Sequence, residues 1–388
     1  MKAINKIISL LLCLGMTASF VACQGGNASS SSSSGTENSI PSSDEGQSSL
    51  DSIDGSESSK EDEADSSTSM PDDGEEEVKK DTVAWYVENG YTPLFSDPYM
   101  KNGISVLSVD GSKKRAFQFA TSVGNPSWNV AQWHSRYDLH DYENLKHVKQ
   151  GTAFELSSYG AKGADGKYLP AKIINVDTAG PALYLELNAE LEFDRPKEDG
   201  EGWPHILVSQ DFSKNLVHVC EQEELTTHME YTITHFDDRM NGQANPGKHC
   251  AQLVWYVTLQ NRNPESEGYG QYIWFGFNLW DNRHNGGVCP QYAAQDLGKE
   301  DATLAFIYQP ASTVFFTEKR MPFVGEKVTM KFDFLSTAKS AFELAKERGY
   351  LPQTTWEDVY IGSMNFGWEV TGIYNVGVQI DTVGIYYK

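Results

Sequence analysis

Three aromatic side chains stand where a strand would ordinarily carry polar ones. In the run 271–280, Ile273, Phe275, Phe277 and Leu279 form an apolar face, while Tyr272, Trp274 and Trp280 share the opposite face with Gly276 and Asn278. Such alternation marks a half-buried strand, so aromatics on its second face need a reason of their own. If 250–262 and 270–283 form a hairpin around Pro264 to Gly268, like faces pair, which sets Thr258 near Trp274 and Tyr256 near Gly276. The same parity across a turn at Asn241-Gly242 sets Glu230 near Tyr256 and His228 near Thr258. A carboxylate, flat rings and a glycine gap suit a pyranose ring, held by CH–aromatic stacking and hydrogen bonds to hydroxyls. The competing reading is that a loop or third layer covers this face and its aromatics are core.

The segment Glu186-Leu187-Asn188-Ala189-Glu190 carries carboxylates at i and i+4 on one strand face. It resembles the Glu-x-Asp-x-Glu strand of laminarinase-like retaining glycosidases, whose first Glu is the nucleophile and whose last is the acid/base. The resemblance implies Glu186 and Glu190 in those roles, if the chain is a hydrolase. Retention needs carboxyl groups about 5–5.5 Å apart, whereas i and i+4 Cα atoms on a straight strand are about 13 Å apart, so the side chains would have to lean together. Asn188 stands where that family has Asp, and Glu192 and Asp194 extend the stripe as a solvated face would. A polysaccharide lyase would use a Tyr/His pair such as Tyr256 and His228. The rows above lack the Arg or Lys that neutralises a uronate, which disfavours it.

These residues need strands to hold them, and strands dominate residues 81–388. Leu183, Leu185 and Leu187, then Met229, Tyr231 and Ile233, then Leu253, Trp255, Val257 and Leu259 each alternate with polar neighbours, and strand-like runs close the chain at 359–363 and 375–386. One helix is expected: Ser336 or Thr337 caps it, Ala338, Ala341, Phe342 and Ala345 share a face, and Gly349 stops it. Many antiparallel strands without a fixed repeat predict an all-β fold, an antiparallel two-sheet β-sandwich in a single domain. The paired strands from Leu216 to Arg283, the glycine-bearing strand 375–380 and Trp128-Asn-Val-Ala-Gln-Trp133 resemble the jelly roll of the concanavalin A-like lectin and glucanase superfamily.

The chain ahead of this domain differs in kind. Residues 1–23 combine Lys2 and Lys6 with an apolar run from Ile7 to Ala22, the pattern of an export signal. Its ending Phe20-Val21-Ala22-Cys23 resembles a bacterial lipobox, with Phe20 in place of the usual Leu, which implies lipidation of Cys23 and a membrane anchor on the extracytoplasmic face. Residues 24–80 are Ser, Gly, Asp and Glu with almost nothing to bury, which predicts a disordered tether with a reach of roughly 40 Å. The net charge of −23 is divided between that tether and the domain, and neither holds the basic run that a nucleic-acid partner requires.

Other constellations are thinner. The histidines form no His-Glu-x-x-His or His-x-Glu-x-His pair, and the folded part has no P-loop, Gly-x-Gly-x-x-Gly or Gly-x-Ser-x-Gly, so neither a catalytic metal nor an organic cofactor is expected. Asp237-Asp238-Arg239-Met240-Asn241-Gly242 has the flavour of a calcium loop, with Arg239 where an oxygen ligand should stand; a structural calcium stays open. With Cys13 lost in the leader and Cys23 lipidated, Cys220, Cys250 and Cys289 remain, an odd set that leaves at least one free thiol. Cys250 falls opposite residues near 282, which makes Cys250 with Cys289 the easier bridge; the alternative is three buried, reduced thiols. Trp128, Trp133 and Trp203 fit a core or rim. The expected role is glycan capture through Glu230, Tyr256, Tyr272, Trp274, Asn278, Trp280 and His228. A hydrolase or lyase on the same scaffold and a protein-binding or scaffolding lipoprotein are the alternatives.

Overall fold

The computed structural model of the protein describes residues 81–388 except 141–144, 151, 159–161, 163–165, 168, 180–181 and 298–301. The export signal, Cys23 and the tether of 24–80 lie outside the described residues. Strands are β1 Thr92–Pro93, β2 Ile104–Leu107, β3 Lys114–Phe117, β4 Trp128–Ala131, β5 Leu145–Gln150, β6 Ala153–Ser158, β7 Lys172–Asp177, β8 Ala182–Asn188 and β9 His205–Asp211. They continue with β10 Val217–His218, β11 Leu225–Asp238, β12 Ala251–Asn261, β13 Tyr272–Asp281, β14 Tyr292–Gln295, β15 Phe306–Gln309, β16 Lys327–Asp333, β17 Val359–Val370 and β18 Tyr374–Tyr387. The helices are α1 Thr82–Glu88, α2 Ala189–Glu192, α3 Ser312–Phe315 and α4 Leu335–Glu347.

Two sheets result, as the alternation predicts. The eight-stranded sheet runs β16-β11-β18-β8-β7-β6-β5, with β1 on β18; the ten-stranded sheet runs β14-β15-β13-β12-β17-β9-β4-β2-β3, with β10 on β17. Leu183, Leu185, Leu187, Met229, Tyr231, Ile233, Val376 and Val378 from the first meet Leu253, Trp255, Val257, Ile273, Phe275, Phe277 and Phe366 from the second in one buried core. Two core aromatics are satisfied across the layers: Tyr231 OH donates to the Leu279 carbonyl at 2.8 Å, and Trp368 Nε1 to the Leu185 carbonyl at 3.2 Å. α4 buries the four predicted side chains and ends where Gly349 takes φ +85. Its cap is not Ser336 or Thr337; Asp333 Oδ1 accepts from the Leu335 N–H instead.

One expected connection is absent. β11 pairs with β16 and β18, and β12 with β13 and β17, so the two do not form a hairpin. Asn241 and Gly242 do turn, with the Gln243 N–H bonded to the Met240 carbonyl. A second turn at Asn245 to Lys248 follows, and residues 239–250 carry the chain to the other sheet. A tight hairpin needs two to five loop residues.

Candidate functional site

The β12–β13 hairpin has the predicted register, with Thr258 opposite Trp274 and Tyr256 opposite Gly276. Gly276 is required there, because a Cβ would sit 2.2 Å from the Tyr256 ring. Further along, parity breaks. Leu253 pairs with Trp280 and Val254 with Asn278, so Leu279 is an extra residue and this bulge turns Trp280 into the core, edge-on to Trp368 at 5.9 Å. Trp280 is therefore a core residue and no ligand platform.

Tyr256, Tyr272, Trp274 and Asn278 do lie on the outer face, but the competing reading holds for the rings. Val254, Tyr256, Trp274 and Ile307 make a small cluster of their own, packed under Tyr272, Tyr292 and Ala305. Trp274 Nε1 donates to Thr303 Oγ1, which donates to Asp296 Oδ2 at 2.6 Å; Gln309 Nε2 donates to Tyr256 OH. Glu230 and His228 belong to the other sheet, which removes the two rows built on them and separates Tyr256 from His228 as a lyase pair. There His228 Nδ1 lies 3.3 Å from the hydroxyl of Tyr86, on α1, and Nε2 lies 3.6 Å from Glu230, whose other oxygen faces Lys327. Burial lowers the His228 pKa, with Lys331 adding to the effect and Glu230 opposing it.

Glu186 and Glu190 do not share a strand. β8 ends at Asn188, and Ala189–Glu192 curls into α2, so the i, i+4 geometry of a straight strand is lost. Glu186 accepts from Tyr184 OH at 2.5 Å and Asn188 Nδ2 at 2.6 Å, while Glu190 accepts from Asn375 Nδ2 and lies 3.8 Å from Arg239. Glu192, read as solvated, is buried against Lys172 Nζ at 2.8 Å.

A row of buried polar side chains lies elsewhere on the outer face of the ten-stranded sheet. The cross-strand partners His205 (β9), Glu369 (β17), Gln252 (β12) and Asp281 (β13) form one row over four adjacent strands, each side chain buried. The next row holds Leu207, Gly367, Val254 and Asn278. Gly367 has φ +147, and a Cβ there would meet the Ile206 carbonyl oxygen at 2.0 Å. Asp281 accepts from Arg283 Nε at 2.9 Å and Nη2 at 2.6 Å, and from Gln252 Nε2 at 2.6 Å. Burial opposes ionisation of Asp281, but the Arg283 guanidinium and the Gln252 amide outweigh it and hold the carboxyl below its ordinary value. Glu369 Oε2 is different: it lies 3.7 Å from His205 Nε2 and makes no hydrogen bond. Gln252 Oε1 and Asn278 Oδ1 are likewise buried and unpartnered, as is Trp133 Nε1 at the flank.

Gly362, Asn365 and Gly367 interrupt the apolar pattern of β17, so periodicity alone marks the strand only to Ser363 and does not place Glu369. The available signal was parity: Ser363, Asn365, Gly367 and Glu369 alternate with Met364, Phe366 and Trp368.

Cys220 is an exposed free thiol and Cys250 a buried one, so the Cys250–Cys289 bridge is not formed; Cys250 Sγ lies 3.6 Å from Thr371 Oγ1, burial pushes that thiol up to about 12, and Cys289 is buried with its Sγ facing Asn278 Nδ2. Among the described residues no group of three or more His, Cys, Asp and Glu side chains is set to hold a metal ion. In the loop read for calcium, Asp237 faces Arg239 at 3.6 Å and Asp238 accepts from the Met240 N–H.

No protein-family model matches the chain, and no curated protein does. Among solved structures it is similar to the native family 12 xyloglucanase from Bacillus licheniformis, with a TM-score of 0.36 at 11% identity over 64% of this chain and 98% of that one. Endoglucanase cel12A from Rhodothermus marinus gives 0.33 at 12% identity over 63% and 95%. The xyloglucanase domain of NopAA from Sinorhizobium fredii gives 0.32 at 8% over 66% and 98%.

Proposed function

We propose that this protein is a carbohydrate-binding lipoprotein, anchored through Cys23 on the extracytoplasmic side of a membrane and contacting glycan along the outer face of its ten-stranded sheet. One observation carries the reading: Glu369 Oε2, Gln252 Oε1 and Asn278 Oδ1, on three adjacent strands of that face, are buried acceptors without a hydrogen-bond donor, Glu369 having only the His205 ring at 3.7 Å. A buried acceptor left unsatisfied costs about 1–3 kcal/mol, so such groups ordinarily answer to a donor from outside the chain. Sugar hydroxyls are donors of that kind, and Trp133, packed with Leu107, Ala131 and Leu207, stands at the flank of the row.

Capture fits this row better than cleavage. Glycoside hydrolysis uses two carboxyl groups, one to protonate the leaving oxygen and one to attack or to activate water. Glu369 could serve once; Asp281 is occupied by Arg283 and Gln252 and is held as an anion between them. The residue directly opposite Glu369 is an amide.

The test is a glycan array probed with the purified protein, followed by calorimetry on the best binder. Glu369→Ala and Gln252→Ala should each weaken binding at least tenfold with no reducing ends released by the parent protein. Absence of binding to every glycan overturns the reading. For the anchor, Cys23→Ser should move the protein from the membrane fraction to the soluble one.

A further inference from the structure

We infer that the glycan taken by this face carries free amino groups, an inference that rests on reading the face as a glycan site. Amide side chains normally offer a donor and an acceptor alike, but here their orientation is fixed. Asp281 is an acceptor only, and its Oδ2 takes Gln252 Nε2 at 2.6 Å and Asn278 Nδ2 at 3.4 Å. Asp281 itself is fixed by the guanidinium and backbone N–H of Arg283. Both amide nitrogens therefore turn toward Asp281, and both amide oxygens are left for a ligand.

Beside them, Glu369 Oε2 adds a third acceptor and the only carboxylate of the row without a hydrogen-bonded cation, His205 Nε2 being 3.7 Å away. Asp281 and Arg283 neutralise each other, which leaves Glu369, facing His205, as the second acidic side chain of the row. The donors at this end are the His205 ring, facing Glu369, and Trp133 Nε1, which belongs to the segment beyond β9. A neutral hydroxyl presented to three acceptors uses its proton once and leaves its own lone pairs facing oxygens. An ammonium group has three donors and no acceptor, and its contact with a carboxylate is charge-assisted. The arrangement thus selects an amino sugar with its nitrogen unacetylated over the neutral or N-acetylated sugar of the same shape.

The experiment compares three oligosaccharides of equal length by calorimetry at low salt: β-1,4-linked glucosamine, its N-acetylated form and the corresponding glucose oligomer. The expected result is at least tenfold tighter binding of the glucosamine oligomer. That preference should vanish in Glu369→Gln, where the glucosamine and glucose oligomers should bind about equally, and should decline as pH rises through titration of the amine. A preference that survives Glu369→Gln reports non-specific attraction to an acidic chain and overturns the inference, as does equal or tighter binding of the glucose oligomer. If neutral glycans bind and the glucosamine oligomer does not, the inference fails while the binding function stands. If no glycan binds, both fail.

Discussion

Gln252 stands directly opposite Glu369 where β12 pairs with β17, an amide facing a carboxylate on the outer side of the sheet. Directly opposed residues in an antiparallel pair hold their Cβ atoms about 4.5–5.5 Å apart. Gln252→Glu would place two carboxyl groups within reach of the about 5–5.5 Å separation that retaining hydrolysis uses. The expected outcome is slow release of reducing ends from the bound glycan, absent in the parent protein and in Gln252→Glu/Glu369→Gln. The added charge also faces Asp281, so the variant should melt lower than the parent.

Gly367 separates Glu369 from Asn365 on that face with a backbone conformation that side chains rarely adopt. Gly367→Ala drives a Cβ against the Ile206 carbonyl and strains the backbone by about 1–3 kcal/mol before the clash is counted. A lower urea midpoint is expected, together with weaker glycan binding as β9 and β17 move apart. An unchanged midpoint would contradict the assigned geometry.

Acid should destabilise the domain in two stages with the same sign. Burial lowers the folded pKa of His228 and of His284, so the unfolded chain binds protons first and stability falls as pH drops below 6.5. His228→Gln should flatten part of that slope. Asp281 is depressed by Arg283 despite its burial, so its contribution is full above 3.8 and is lost as pH falls through the lower folded value. Chemical denaturation across pH, comparing Asp281→Asn with the parent, should show the low-pH loss reduced in the variant, whose stability is lower at neutral pH.

Lys172 and Glu192 form a wholly buried ion pair, and both reach the segment that carries Trp133: Lys172 Nζ donates to the Tyr137 carbonyl, and the Arg136 N–H donates to Glu192. Removing one partner of a buried pair costs about 3–5 kcal/mol. Lys172→Met should lower stability by that order in urea titrations and should weaken glycan binding, because the segment flanking the site loses its anchor. Lys172→Met/Glu192→Leu should recover part of the stability.

The sandwich was legible because burial imposes a period of two, and Leu183 to Leu187, Met229 to Ile233 and Leu253 to Leu259 keep that period without interruption. The pairing of Thr258 with Trp274 followed from the same rule. Parity failed where one extra residue entered: beside Leu279, Trp280 also turns into the core, and no composition cue marks that bulge. It failed again at Asn188, where alternating Glu residues continue into a helical turn. Pairing beyond a hairpin was out of reach, because Asn241-Gly242 reads as a tight turn whether the chain returns to its own sheet or crosses to the other. Glu369 stayed hidden for the converse reason. Gly362 and Gly367 are needed by close backbone and side-chain approaches from neighbouring strands, and those neighbours come from elsewhere in the chain.

β18 runs through the middle of the eight-stranded sheet, between β8 and β11, and is the latest of the strands in chain order. Until residues 374–387 arrive, the segment from β5 to β8 and the β11–β16 pair have no strand to join them, and β1 has no place to dock. Closing that gap demands contacts between residues nearly 300 positions apart, as between Thr92 and Tyr387. Pairings of such long range are slow to form. The domain is thus a late folder by topology, a trait that the export proposed above would exploit, since a chain folded too early could not be threaded through a membrane.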